Sequence, residues 1–134
     1  MYNLLKNKND GLRNDLLAFT QKLIRTPSPS LGESAVATLV EDELNRVPCD
    51  KVFRDDVGNV VGLMLGREPD PTILLNCHMD TVPVCHETQW KESPTSGNMS
   101  DGRIYGLGAA DCKGGLAAHV YTAALLKRSL LPLR

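Results

Sequence analysis

Between Asp10 and Arg25 the apolar residues Leu12, Leu16, Phe19 and Leu23 fall three and four positions apart, with Leu17 and Ile24 one position over. That spacing is the helical period and predicts an amphipathic helix. The TPSPS stretch that follows predicts a loop, because clustered proline and serine end the pattern. From Gly32 to Arg46 the period returns in Val36, Leu39, Val40 and Leu44, with Glu33 near the start and Pro48 just past the end. An early acid and a late proline suit the two ends of a helix, so a second amphipathic helix is predicted.

The pattern then shortens. Lys51 to Leu65 reads as two short strands about a turn carried by Asp56, Gly58 and Asn59, which predicts a hairpin. Thr72 to Cys77 is apolar on both faces apart from Asn76, as expected of an interior strand covered by helices on each side. Pro83 to Asp101 holds Pro, Gly, Ser and Asn around a single Trp90, and predicts a surface excursion anchored by the indole. Arg103 to Tyr105 is a short strand candidate. Lys113 to Ser129, with Leu116, Val120, Ala124 and Leu125 among its apolar positions, predicts a mostly buried helix. Helices alternating with strands predict an α/β fold. No internal repeat or low-complexity tract interrupts the chain.

Composition narrows the class. A chain of 134 residues is one domain's worth and long enough to bury a core. A hydrophobic fraction of 42% with 23% charged residues describes a globular chain rather than a disordered, fibrous or membrane one. Fifteen Lys and Arg against sixteen Asp and Glu leave a formal net charge of −1, so no basic field is available to hold a nucleic acid. The opening MYNLLKNKNDGLRND lacks the apolar core of a signal peptide, and no apolar run is long enough to span a membrane. A cytoplasmic location is expected. Cys49, Cys77, Cys85 and Cys112 are irregularly spaced without a CxxC, and the cytosol keeps such residues as thiols. Asn98-Met99-Ser100 matches a glycosylation sequon but carries no weight without an export signal.

The candidate chemistry lies at two places. In open α/β sheets ligands bind beyond the carboxyl ends of strands, and His78 and Asp80 fall just past the most strand-like segment. Residues two apart in extended chain share a face, so His78 can present one ring nitrogen outward while Asp80 reaches the other. That is the arrangement in which a carboxylate fixes the tautomer of a metal-binding histidine and raises its basicity. His-x-Asp alone also describes a histidine hydrogen-bonded near a turn. The second segment is GLGAADCKGGLAAH, where glycines permit a tight backbone path and Asp111 stands before a helix start. Asp111 could equally be a helix cap. Neither a dinucleotide fingerprint nor a phosphate loop fits the glycine spacing.

Together, HMDTVP and YGLGAADCKGG, separated by a loop with Trp90 and Pro94, resemble the dinuclear zinc hydrolase family. That family contains acetylornithine deacetylase, succinyl-diaminopimelate desuccinylase, aminoacylase and the glutamate carboxypeptidases. The likeness runs from the first helix and IRTPSPS, through DDVGNVVG, to the helix ending LLKRS. It implies a three-layer α/β sandwich with a mixed, largely parallel sheet flanked by helices, of which residues 1–134 form the amino-terminal, incomplete portion of the catalytic domain. It implies two zinc ions per complete site, with cobalt or manganese as chemical alternatives. His78 would be a terminal ligand of one ion, Asp111 the carboxylate bridging both, and Asp80 the catalytic-site acid that orients His78. It also implies a cis peptide after the bridging aspartate, here Asp111-Cys112. Thr95, where an aromatic is commoner, and Cys112, where Met is usual, depart from the family pattern and bear on substrate identity.

The resemblance further implies hydrolysis of an amide bond in a small N-acyl amino acid or a peptide. The zincs polarise the carbonyl and acidify a shared water, and a glutamate takes the proton. In the family that base belongs to a Glu-Glu pair after the helix placed at 113 to 129. After Asp111 this sequence has no Asp or Glu. The fragment is therefore expected to be inactive alone, with an uncompleted sheet that invites self-association. Glu33, Glu41, Asp42 and Glu43 read as the solvated face of the second helix. His119 reads as a core or interface histidine, and His86 and Glu87 are weaker candidates. A different class, a non-catalytic truncated binding or interaction module, accounts for the same residues without turnover. Thiol-based metal or redox chemistry at Cys77, Cys85 and Cys112 is a third reading, against which their spacing argues.

Overall fold

The structure, a computed structural model, describes residues 2–68 and 70–129. Its first helix, α1 (Tyr2–Arg25), includes the predicted stripe and starts earlier than Asp10. The extension has a tertiary partner: Lys8 Nζ donates to the Arg128 carbonyl at the far end of the chain. Helix α2 (Ser34–Arg46) and helix α3 (Gly114–Arg128) match the other two periodic segments closely.

The three helices supply one core. Leu12, Phe19 and Leu23 of α1, Val36, Val40 and Leu44 of α2, and Leu116, Val120 and Tyr121 of α3 are buried together. Burying a side chain of this size contributes roughly 1.5–3 kcal/mol, so the helical stripes dominate the stability of the unit. Glu43 does not lie on a solvated face as expected. It is buried, because the Tyr121 hydroxyl and the Arg46 guanidinium both donate to its Oε1. A buried carboxylate is tolerable only with such partners. Burial first, and then Glu43, raise the Tyr121 phenol well above its ordinary pKa.

The predicted hairpin is present as β1 (Lys51–Arg54) paired antiparallel with β2 (Val60–Leu63). Its turn is organised by Asp55, whose carboxylate accepts from the main chain of Val57 and Asn59 and from the Asn59 amide. Gly58, at φ +94°, takes the left-handed position in that turn. The hairpin is pinned to α2 by Arg54, which donates to Glu41 at 2.7 Å. A second antiparallel pair joins β3 (Asn98–Ser100) to β4 (Arg103–Tyr105). Thus the predicted strand at 103–105 forms, and the predicted loop before it contributes its partner.

Two helices, two hairpins and a third helix follow one another in a mixed α/β chain rather than alternating singly, and both sheets among the described residues are two-stranded and antiparallel. The interior strand expected at Thr72–Cys77 does not join a sheet. Ile73 and Leu74 there are 83% and 81% exposed. An apolar strand is buried only when neighbours flank it in the sheet and helices cover its faces, and both hairpins here pair internally instead. An isolated parallel bridge joins Pro29 to Thr81. No helix among the described residues is long and apolar enough to cross a membrane.

Candidate functional site

The loop between α1 and α2, the predicted TPSPS break, gathers both chemical segments. Ser28 Oγ donates to the Met79 carbonyl at 2.8 Å, and the Thr81 amide donates to the Ser28 carbonyl at 2.8 Å. Ser30 Oγ donates to Asp80 Oδ2 at 2.6 Å. From the other segment, the buried Lys113 sends its Nζ to the Thr26 carbonyl at 2.7 Å. Burial lowers the Lys113 pKa. Ser28, Ser30 and Lys113 were not singled out by sequence reasoning. IRTPSPS was legible only as a loop, because its contacts are with residues far along the chain.

The Asp111 segment owes its shape to glycine and to a wide turn. Gly106 and Gly108 have φ of +151° and +76°. A Cβ on Gly106 would lie 2.3 Å from Ile24 Cγ2, and one on Gly108 would lie 2.5 Å from Thr81 Cγ2. Both positions therefore need glycine for space as well as for conformation. Over Ala109–Lys113 the amide of Lys113 reaches back to the Gly108 carbonyl and that of Gly114 to the Ala109 carbonyl. The turn is one residue wider than an α-helical one, and Asp111 and Cys112 within it have non-helical backbone angles. Asp111 is thus turned outward ahead of α3 rather than capping it. The peptide Asp111-Cys112 is cis, as the resemblance implied.

His78, Asp80 and Asp111 meet. His78 Nδ1 lies 3.0 Å from Asp80 Oδ1 and 3.0 Å from the Asp80 carbonyl oxygen. Its Nε2 lies 3.0 Å from Asp111 Oδ1, across 33 residues of sequence. The imidazole is held between two acids, and its pKa is raised by the Asp111 hydrogen bond first and by Asp80 after it. Asp80 is lowered, chiefly by the Ser30 hydroxyl and then by His78. The Asp111 side chain is 90% exposed, so this carboxylate faces solvent and is free to accept a further partner.

These residues border a cleft of about 330 Å³ that also includes Trp90 and Gly106 through Ala110. Trp90 is 37% exposed and donates from Nε1 to the Cys85 carbonyl at 3.3 Å, so the indole forms a wall of the cleft rather than a buried anchor. Cys112 joins the site as well: donor atoms of His78, Asp111 and Cys112 all lie within 4.8 Å of one another. Cys77 packs beside it, its pKa pushed up to about 12 by burial first and by the Cys112 thiol second. His86, His119 and Cys85 do not line the cleft or join this cluster.

An imidazole gripped between two aspartates, on the floor of an open cleft beside a glycine-rich turn, is the type of site found in metal-dependent hydrolases. Comparison with known proteins agrees with that class. The family model described as Peptidase family M20/M25/M40 matches residues 74–134, a span that includes both chemical segments. The Escherichia coli K12 protein named uncharacterized protein YgeY is 31% identical over 126 residues, covering 94% of this chain and 31% of that protein. Succinyl-diaminopimelate desuccinylase of Cereibacter sphaeroides ATCC 17029 is 34% identical over 111 residues, 81% of this chain and 29% of the relative. The enzyme of that name from Corynebacterium glutamicum ATCC 13032 is 34% identical over 120 residues, 88% of this chain and 30% of the relative. The chain is similar to the M20 family, over an amino-terminal part of it. It spans about three-tenths of the length of these curated relatives.

Proposed function

We propose that residues 1–134 are the amino-terminal portion of the catalytic domain of a zinc-dependent amidohydrolase, acting on an N-acyl amino acid or a peptide. The observation that carries this reading is the convergence of Asp80, His78 and Asp111 at 3.0 Å separations on one cleft. The donor set suits the ion. Two donors bound to one zinc at about 2.0–2.2 Å in a tetrahedron stand roughly 3.3 Å apart, a few tenths more than the His78–Asp111 separation. The exposed Asp111 side chain can supply that adjustment without disturbing the core.

In this reading His78 Nε2 and an Asp111 oxygen are ligands, and Asp111 is placed to bridge to a second ion. Asp80 holds the ring by its Nδ1 proton and is in turn held by Ser30. When bound, zinc would polarise the scissile carbonyl and acidify a water; cobalt or manganese could do the same. The named relatives that are succinyl-diaminopimelate desuccinylases point to a small N-acyl substrate. The three-layer sandwich with a largely parallel sheet would need further strands, which would cover the exposed Ile73 and Leu74. Left uncovered, that segment is the surface through which these residues self-associate. Four free thiols accord with a cytoplasmic location.

These residues alone do not complete the chemistry. The only carboxylates lining the cleft among the described residues are Asp80, which holds His78, and Asp111, which in this reading is a metal ligand. Neither is left to act as the general base. The test is zinc titration and hydrolysis of N-acyl amino acids by the 134-residue chain. Zinc binding lost in His78→Ala, without turnover, is the expected result. Turnover that disappears in His78→Ala would overturn the claim of incompetence, and wild-type chain that ignores zinc would overturn the site.

A further inference from the structure

Cys77 stands immediately before His78, and Cys112 immediately after Asp111. Thirty-five residues apart in sequence, their Sγ atoms lie 2.7 Å from each other. Non-bonded heavy atoms ordinarily rest at roughly 3.5–4.0 Å, so the two sulfurs are held closer than packing alone requires. Each also points at main chain of the opposite segment. Cys77 Sγ lies 3.5 Å from the Cys112 carbonyl oxygen, and Cys112 Sγ lies 3.7 Å from the His78 carbonyl oxygen. The approach is therefore a mutual one, fixed from both sides.

The surroundings leave the pair reachable. Both cysteines are half-buried, and the neighbouring Gly115 is exposed. A Cβ added to Gly115 would meet Cys77 Sγ at 3.9 Å and Cys112 Cβ at 4.0 Å, so the absent side chain opens one flank of the pair. The other cysteines differ. Cys85 is exposed and its thiol faces the Pro83 carbonyl, while Cys49 sits beside Gly62 and Leu44 under the first hairpin.

We propose that Cys77 and Cys112 are a redox-active pair that closes to a disulfide across the two segments of the site. The oxidant is a low-molecular-weight disulfide of the glutathione type. One protein thiolate attacks a sulfur of the oxidant, forming a mixed disulfide and expelling one small thiolate. The second protein thiolate attacks the protein sulfur of that mixed disulfide and expels the other. Two S–H bonds are lost and one S–S bond is formed in the protein; the two electrons and two protons leave with the two small thiols. A reversible bond of this kind is the usual form that a disulfide takes in a reducing compartment. Its position gives it a consequence: it ties the residue before His78 to the residue after Asp111 and withdraws the Cys112 thiol from the donor cluster.

The experiment equilibrates the whole 134-residue chain, with a chelator present, in mixtures of reduced and oxidised glutathione. Remaining thiols are then alkylated and the digest is mapped by mass spectrometry. The expected product is a peptide pair linked through Cys77 and Cys112, lighter by two hydrogens than the free peptides, with Cys49 and Cys85 alkylated or carrying glutathione. The same link should persist in Cys49→Ser and Cys85→Ser, and should lose its preference over other pairings in denaturant. Cys77 and Cys112 still alkylated when Cys85 is already glutathionylated, or linked no more often natively than in denaturant, would overturn the proposal. The wild-type map answers the question even where Cys77→Ser or Cys112→Ser folds poorly. No metal enters the experiment, so its outcome is independent of the zinc reading.

Discussion

Replacing Asp80 by asparagine separates two tasks that one residue performs at His78. The Asp80 carbonyl oxygen lies 3.0 Å from Nδ1, and so does the Oδ1 of its side chain. The main-chain oxygen survives the substitution and keeps the Nδ1–H tautomer, leaving Nε2 free for a metal. The negative charge does not survive, and with it goes the added basicity of the ring. Loss of such a supporting carboxylate ordinarily costs 10- to 100-fold in metal affinity. Because the tautomer is retained here, the expected loss for Asp80→Asn is at the lower end, about tenfold. In the variant the amide oxygen stays toward Nδ1 and the Ser30 hydroxyl can accept from the amide N–H, so the loop that positions the segment should stay in place. The assay is calorimetric zinc titration of wild type, Asp80→Asn and His78→Ala, with the imidazole tautomer followed by NMR. An Asp80→Asn variant that binds zinc as tightly as wild type, while His78→Ala loses binding, would refute the electrostatic role of Asp80. A variant in which the ring changes tautomer would refute the division of labour between carbonyl and carboxylate.

Further outcomes follow from the structure. His78 has a raised pKa, so zinc affinity should rise with pH through that raised value as the ring gives up its proton, and calorimetry across pH would read it. The metal-free chain should behave oppositely: the stabilisation from the His78 ion pairs is complete below the ordinary histidine pKa and is lost as pH rises through the raised one. Gly106→Ala places a Cβ 2.3 Å from Ile24 Cγ2 at φ +151°, and should cost about 2–4 kcal/mol in urea unfolding from strain and overpacking together. Gly58→Ala at φ +94°, with nothing within 4 Å, should cost only about 1 kcal/mol, and equal losses would show that the clash at Gly106 is relieved. Tyr121→Phe removes one of two donors to the buried Glu43, while Arg46 still donates at 2.8 Å. The expected loss is about 1.5 kcal/mol by the same unfolding assay, and an unchanged midpoint would mean that Arg46 alone satisfies the carboxylate.

Much of the local structure could be read from the chain. Leu12, Phe19 and Leu23 announced the buried face of α1, and Val36, Val40 and Leu44 that of α2, because a helix turns its own sequence period into a stripe. The hairpin was legible from its turn residues, although its organising side chain proved to be Asp55 rather than Asp56. Glu43 was misread because charge pattern alone cannot reveal a tyrosine waiting on another helix. The strand at 72–77 was misread because an apolar run reports a capacity for burial, not the presence of neighbours to provide it.

By itself, then, the sequence determined which segments are helical, where a hairpin turns, and which two short motifs hold the metal-type side chains. Those properties depend on residues within a few positions of one another. Only the tertiary structure decided that His78 and Asp111 stand 3.0 Å apart, that Ser28, Ser30 and Lys113 clamp both motifs to one loop, and that Cys77 lies against Cys112. Each of those contacts joins residues more than thirty positions apart, and their meeting is set by the packing of α1 against α3 and by the loops that packing brings together.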